Sequence, residues 1–234
     1  MLSPALEKQR HRLYAHASDN MAARLQSVND PAAMLEALQS GMNELDRTFA
    51  ETPAKVKATV ACRAGCDFCC SVPVHVQAHE VFFVAEYIQV NFSPADLASV
   101  IDRTSVHRVR LSGLTIDERG RLRLPCALLR GGCCSVYDGR PEVCRSHHTS
   151  DAEVCRDDLT LPDVAIEKVY IPELRSRMYA TMLGLDAAME AAGFDDRAYD
   201  FGSALHEALT NSLCRVLWMR HQPAFPDSCL VEAE

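Results

Sequence analysis

Apolar residues recur near a period of 3.6 along most of the chain, and that spacing predicts a mainly helical protein. The first stripe lies in residues 4–28, where Leu6, Leu13, Ala17, Met21 and Leu25 share a face. Asp30-Pro31 restarts the helix, with Asp30 as N-cap and Pro31 at the first helical position. Leu35, Leu38, Met42, Leu45 and Phe49 then form a second stripe. Residues 79–90 read as a short helix with Val81, Val84, Ala85 and Ile88 on one side. Ser93-Pro94-Ala95-Asp96 opens another, in the manner of a capping box, with Leu97, Val100 and Ile101 inward. Residues 171–192 carry Leu174, Met178, Met182, Leu185 and Met189 and end at Gly193, a C-cap. A last helix covers roughly 203–220, with Leu205, Leu209, Leu213 and Val216 inward. One segment follows a different rhythm. Leu114 to Ile116 and Arg121 to Leu124 alternate around Asp-Glu-Arg-Gly, which predicts a small β-hairpin.

The pattern therefore places helices on both sides of a loop-rich centre. It divides the chain into an N-terminal helical hairpin (1–58), a cysteine-rich central domain (59–160), C-terminal helices packed on that domain (161–220) and an irregular tail (221–234). The first two helices could serve a second copy or a protein partner, but packing on the rest of the chain is the simpler use of their apolar faces.

Composition narrows the function. The chain has 234 residues and a net charge of −8, which argues against a nucleic-acid or membrane-surface binder. The N-terminus shows no apolar core of a signal peptide, and no stretch approaches the ~20 apolar residues of a transmembrane helix. A cytoplasmic location follows as the expectation, where thiols stay reduced. The eleven cysteines are an odd count, which fits a disulfide scaffold poorly.

Eight of these cysteines fall in two groups. Cys62, Cys66, Cys69 and Cys70 make the first; Cys126, Cys134, Cys144 and Cys155 make the second, with Cys133 beside Cys134. Thiolates so closely spaced are soft-metal ligands, of zinc or iron above all. If residues 62–70 were helical, all four sulfurs would share one face. Alternatively, Gly65 bends the chain and wraps the thiolates around a metal. Arg140-Pro141 starts a helix, with Pro141 at its first position and Cys144 in its first turn, and Cys155 would share that face if the helix continued. His147 and His148 stand at the right spacing to add a ligand, although surface or supporting roles are the more common use of such histidines. Arg63, Arg140 and Arg145 flank thiolates and would offset their charge. Cys214 and Cys229 lie outside both groups and are expected not to ligate. The spacing Cys62-x3-Cys66-x2-Cys69 is that of the radical S-adenosylmethionine loop, but the β/α repeats those enzymes need are missing from the pattern. The spacing still accommodates an iron–sulfur cluster.

Cys62-x3-Cys66-x2-Cys69-Cys70, followed by Cys126-x7-Cys134-Ser-Val-Tyr-Asp-Gly-Arg140-Pro141-x2-Cys144-Arg145, resembles the CxxCxxCC cysteine-cluster family of zinc- or iron-chelating proteins. Pro73-Val74-x-Val76 and Glu80 are similar to the segment that follows the first cluster in that family. The resemblance spans about residues 60–157 and implies metal ligation by Cys62, Cys66, Cys69, Cys70, Cys126, Cys134, Cys144 and Cys155. It departs from the family in the wider first spacing and the extra Cys133. Some longer relatives are flagellin lysine methylases associated with an iron–sulfur cluster, but no glycine-rich methyl-donor loop is seen here. Three readings result. The first is a metal-binding protein without catalysis. The second is an iron or iron–sulfur enzyme, with Glu80, His75, His79, His147 and His148 as further ligands or acid–base groups. The third is a metal-folded interaction module.

Overall fold

The computed structural model describes residues 4–160 and 166–231 and is mainly helical. Helices α1 (Pro4–Leu25) and α2 (Pro31–Ala50) form as the spacing predicts. Asp30 accepts the Ala33 N–H at 2.8 Å, which caps α2. The single turn α3 (Ala54–Lys57) leads into the cysteine-rich centre. Strand β1 (His75–Val76) precedes α4 (Ala78–Asn91), whose start is fixed by Gln77 and Glu80 as a reciprocal cap. Helix α5 (Pro94–Leu111) is capped by Ser93.

The hairpin expected at 114–124 is not there. Residues Ile116–Arg121 form helix α6, because Thr115 and Glu118 make a capping box that the alternation of apolar residues concealed. The small hairpin lies further on. Strands β2 (Leu129–Arg130) and β3 (Cys133–Cys134) pair antiparallel around Gly131 and Gly132, both with positive φ. Glycine takes that backbone without steric penalty, which is why a two-residue turn fits.

Short helices α7 (Glu142–Ser146) and α8 (Ala152–Asp157) complete the centre. Helix α9 (Pro172–Ala191) follows and ends at Gly193, whose φ is +82°. Strand β4 (Tyr199–Asp200) pairs antiparallel with β1, so that His75 faces Asp200 and Val76 faces Tyr199. The last helix of the pattern is two helices, α10 (Phe201–Thr210) and α11 (Ser212–Met219). The chain breaks at Asn211, whose side chain accepts the Leu213 N–H at 3.2 Å. That break turns the stripe: Leu205 is buried, but Leu213 and Val216 are exposed.

Helix α9 is the organising element. Both α1 and α2 pack against it, so the N-terminal pair spends its apolar faces within the chain. A Cβ at Gly184 of α9 would collide with the Tyr14 carbonyl of α1, so glycine permits the close approach. Leu38, Met42, Leu45, Leu174, Met178, Leu185 and Met189 fill this side of the core. On the other side, α4 runs buried between α2 and α10. Its Phe82 lies 4.9 Å from Trp218 and 5.1 Å from Phe225, centroid to centroid. The tail is more ordered than its prolines imply: Ala224, Phe225 and Cys229 are buried, and Leu230 bridges to Tyr199. Its last three residues, 232–234, lie outside the described residues.

Candidate metal centre

The first cysteine segment is not an α-helix. Gly65 has a φ of +80°, in the left-handed region, and turns the chain between Cys62 and Cys66. Cys66 N–H bonds the Arg63 carbonyl at 3.0 Å, and Phe68–Ser71 then forms one 3₁₀ turn. The four thiols therefore do not line one helix face. A bend at Gly65 followed by a single 3₁₀ turn replaces it.

The second segment is built from the glycine hairpin and two short helices. Side chains alternate along a strand, so the adjacent pair divides. Cys133 is exposed and Cys134 half-buried. Pro141 is the N-cap of α7 rather than its first residue, and Cys144 follows within that helix. Helix α7 stops at Ser146 and α8 begins at the Asp151 cap, so Cys144 and Cys155 do not share a helix. Asp151 accepts the Glu153 N–H at 2.8 Å, which sets α8 in a new direction.

The two segments nevertheless meet. Cys126 N–H bonds the Cys70 carbonyl at 2.6 Å. Thr149 Oγ1 stands 3.2 Å from Cys155 Sγ and 3.8 Å from Cys62 Sγ, and it is fully buried. Charge coupling among the thiols sorts them into two neighbourhoods. Cys144 is influenced by Cys126, Cys70 and Cys134, whereas Cys155 is influenced by Cys62 and Cys66. Cys69 lies between the two, coupled to Cys70, Cys144 and Cys62. All eight residues named from the sequence are thus gathered in one region.

Their environment is hostile to free thiolates. Burial pushes Cys126 up to about 12, against a Leu128 N–H that opposes it and with Cys70 and Cys134 adding to it. Burial likewise raises Cys144 far above the usual thiol range, and Cys126, Glu80, Cys70 and Cys134 raise it further. Cys134 and Cys155 are also raised, chiefly by burial. Cys69 and Cys70 share a hydrogen bond that lifts the first and lowers the second. A cation among these sulfurs would reverse that balance, since coordination stabilises the thiolate form. The donor set, soft and gathered in one region, fits zinc or iron. Among the described residues no three sulfurs lie mutually within 4.8 Å. Tetrathiolate zinc brings sulfurs to ~3.8 Å from one another, as bonds of ~2.3 Å require, so metal entry would draw the thiols inward.

The flanking residues have distinct roles. Arg145 is 2% exposed and donates to both Asp46 oxygens at 2.7 and 2.8 Å and to the Arg140 carbonyl at 2.9 Å. It also bonds the Asp138 carbonyl. It therefore ties α2 to the loop between Cys134 and Cys144 instead of facing sulfur. Arg140 stacks 3.8 Å above the Tyr137 ring and favours the Cys134 thiolate by its charge. Arg63 is exposed, as is His75. His148 stacks on Phe49 at 4.7 Å, and His147 meets the Tyr170 edge at 5.5 Å. Cys214 and Cys229 lie in the hydrophobic core. Thr149, which touches sulfurs of both segments, had no signal in the sequence beyond its place between two cysteines.

No curated protein and no solved structure matches the chain at a significant level. A family model does match, over residues 61–160, and its bounds enclose all eight gathered cysteines together with Thr149 and the Arg140-Pro141 turn. The matching model is that of the CxxCxxCC family, described as a putative zinc- or iron-chelating domain, and the central segment of this chain is similar to it.

Proposed function

We propose that the protein is a cytoplasmic metal-binding protein whose thiolates Cys62, Cys66, Cys69, Cys70, Cys126, Cys134, Cys144 and Cys155 hold zinc or iron. The observation that carries this reading is the meeting of the two cysteine segments, where Cys126 N–H bonds the Cys70 carbonyl and Thr149 Oγ1 touches the sulfurs of Cys62 and Cys155. Eight thiols gathered in one region, most of them half-buried, are a donor set suited to a soft metal. The metal supplies the positive charge, and the chain supplies two glycine-permitted turns and two short helices that aim the sulfurs. A bound ion also stabilises the cysteine-bearing segments, which have only two-residue strands and short helices of their own. The domain division follows: residues 59–160 form the metal unit, 1–58 and 161–220 the helices that support it, and 221–234 the tail.

One observation favours the alternative of an iron or iron–sulfur enzyme. A cavity of about 330 Å³ opens beside Cys126, lined mostly by apolar residues and by the pair His107 and Asp200. His107 Nε2 lies 2.9 Å from Asp200 Oδ1. Such a volume is at the lower end of small-molecule sites. Anaerobic purification followed by metal and acid-labile sulfide assays separates the readings. Colourless protein with zinc and no sulfide supports a binding or structural centre; brown protein with iron and sulfide supports the enzyme. Protein that folds with less than a tenth of an equivalent of either metal would contradict both.

A further inference from the structure

Behind the thiol region lies a second cluster, with harder donors. His79 of α4, Glu142 at the start of α7 and Asp186 of α9 each bring one donor atom within 4.8 Å of the others. His79 Nε2 is 3.1 Å from Glu142 Oε1 and 3.7 Å from Asp186 Oδ1. The side chains of His79 and Glu142 are each 1% exposed, and that of Asp186 is 19% exposed. Three helices distant in sequence thus converge on one point in the core.

The cluster is not electrically complete. Glu80 is buried beside it, but its two oxygens are committed to the Gln77 and Glu142 N–H groups, each at 2.8 Å. Among the described residues no arginine or lysine makes an ion pair with Glu80, Glu142 or Asp186. Arg145, near in sequence, is engaged by Asp46 and two backbone carbonyls. Two buried atoms of the cluster, Glu142 Oε2 and His79 Nδ1, have no hydrogen-bond partner. Buried polar atoms are nearly always paired, and buried carboxylates nearly always have a cation.

We propose that His79, Glu142 and Asp186 form a second metal site, distinct from the cysteines, for a divalent cation of the carboxylate-preferring kind such as Mn²⁺ or Fe²⁺. Metal–donor bonds of ~2.0–2.2 Å place neighbouring donors about 3.0–3.5 Å apart; the His79–Glu142 separation of 3.1 Å falls in that range, and the His79–Asp186 separation of 3.7 Å lies just above it. One imidazole and two carboxylates are a poor match for the soft metals that thiolates take and a good one for manganese or ferrous iron. Glu80 remains an outer partner, holding the Glu142 backbone in place. Asp186, the least buried of the three, is the side from which an ion and its waters would enter. The competing account is a metal-free network in which the carboxylates share protons with His79.

Mn²⁺ is the discriminating probe, because thiolates bind it weakly. The full chain is first loaded with zinc, and loosely held zinc is removed with a weak chelator that leaves thiolate-bound metal in place. Mn²⁺ is then added, and free Mn²⁺ is followed by its paramagnetic resonance signal. One Mn²⁺ per chain should bind, with at least tenfold weaker binding in Asp186→Asn and unchanged binding in Cys133→Ser, whose exposed thiol lies outside the eight. The melting temperature should rise with Mn²⁺ in the parent protein and not in Asp186→Asn, a readout that does not depend on comparing folds. No Mn²⁺ binding up to millimolar concentration overturns the proposal. So does binding that survives Asp186→Asn or that is lost in Cys133→Ser.

Discussion

Cys126 gives its backbone N–H to the carbonyl of Cys70 at 2.6 Å, and so joins two cysteine groups that are 56 residues apart in the chain. This bond fixes the backbone beneath the sulfurs, independent of what the sulfurs hold. It makes the meeting of the two segments a property of the fold, on which metal binding can build.

Thr149 touches Cys62 and Cys155 with one hydroxyl, from a fully buried position. Hydrogen bonds to ligating atoms orient them and stabilise their charge, and their loss typically costs ~10–100-fold in metal affinity. Thr149→Val keeps the shape and removes the hydroxyl. Chelator competition should show metal affinity at least about tenfold weaker. Affinity within twofold of the parent would mean that Thr149 serves packing alone.

Arg145 links α2 to the loop that carries Cys144, through Asp46 and two carbonyls. Charged hydrogen bonds contribute about 1.5–3 kcal/mol each, so Arg145→Ala should lower folding stability by about 3 kcal/mol or more. Arg145→Lys should recover less than half of that, since an ammonium cannot reproduce the planar fork. Denaturant unfolding of both variants measures it. Equal stability of the lysine variant and the parent would contradict the geometric role.

Much of this was legible in the sequence, and the misses have causes. Helices with long apolar stripes, α2, α4 and α9, came from periodicity because burial of one face dominates their energy. Segment 114–124 was misread because Leu114 and Ile116, then Leu122 and Leu124, alternate with polar residues, while the Thr115–Glu118 box that decides the matter is a polar signal. The break at Asn211 was hidden for the same reason: Leu213 and Val216 keep the period but lie exposed. The eight cysteines were legible as residues, from spacing and the family pattern. Their sorting into two neighbourhoods was not, because it depends on Gly65 and on the α7–α8 turn. Glu142 reads as an ordinary acidic residue in a first helical turn, so nothing local announced its meeting with His79 and Asp186.

Cys214 and Cys229 are 2% and 0% exposed within the hydrophobic core, away from the other thiols. A buried free cysteine acts as a small hydrophobe. Replacing both by alanine should leave the metal content unchanged, at a cost of roughly 1–2 kcal/mol in stability. Loss of a metal equivalent in elemental analysis would place one of them in the site.

Asp195 ties the tail to the body of the molecule. It accepts from Tyr199 Oη at 2.5 Å, from Ala224 N at 2.6 Å and from Arg197 Nε at 3.0 Å. Burial works to raise its pKa, but the Arg197, Ala224 and Tyr199 bonds outweigh burial and hold it below the usual carboxylate range. A depressed folded-state pKa adds stability above the unfolded value of ~3.9, and that stability fades as pH falls through the folded value. Asp195→Asn should therefore cost about 1.5–3 kcal/mol at pH 7, and the gap between variant and parent should shrink below about pH 4. A gap that stays constant down to pH 2 would contradict the account.

The central claim is that sulfur holds the metal, and X-ray absorption at the edge of the bound metal reads that directly. The protein is purified without oxygen, and the fine structure is recorded at the zinc or iron edge. The account predicts a first shell dominated by sulfur, at ~2.3 Å for zinc. That shell should lose sulfur in Cys70→Ser and Cys126→Ser and keep it in Cys214→Ala. A first shell made chiefly of nitrogen and oxygen, unchanged by either serine substitution, would contradict it.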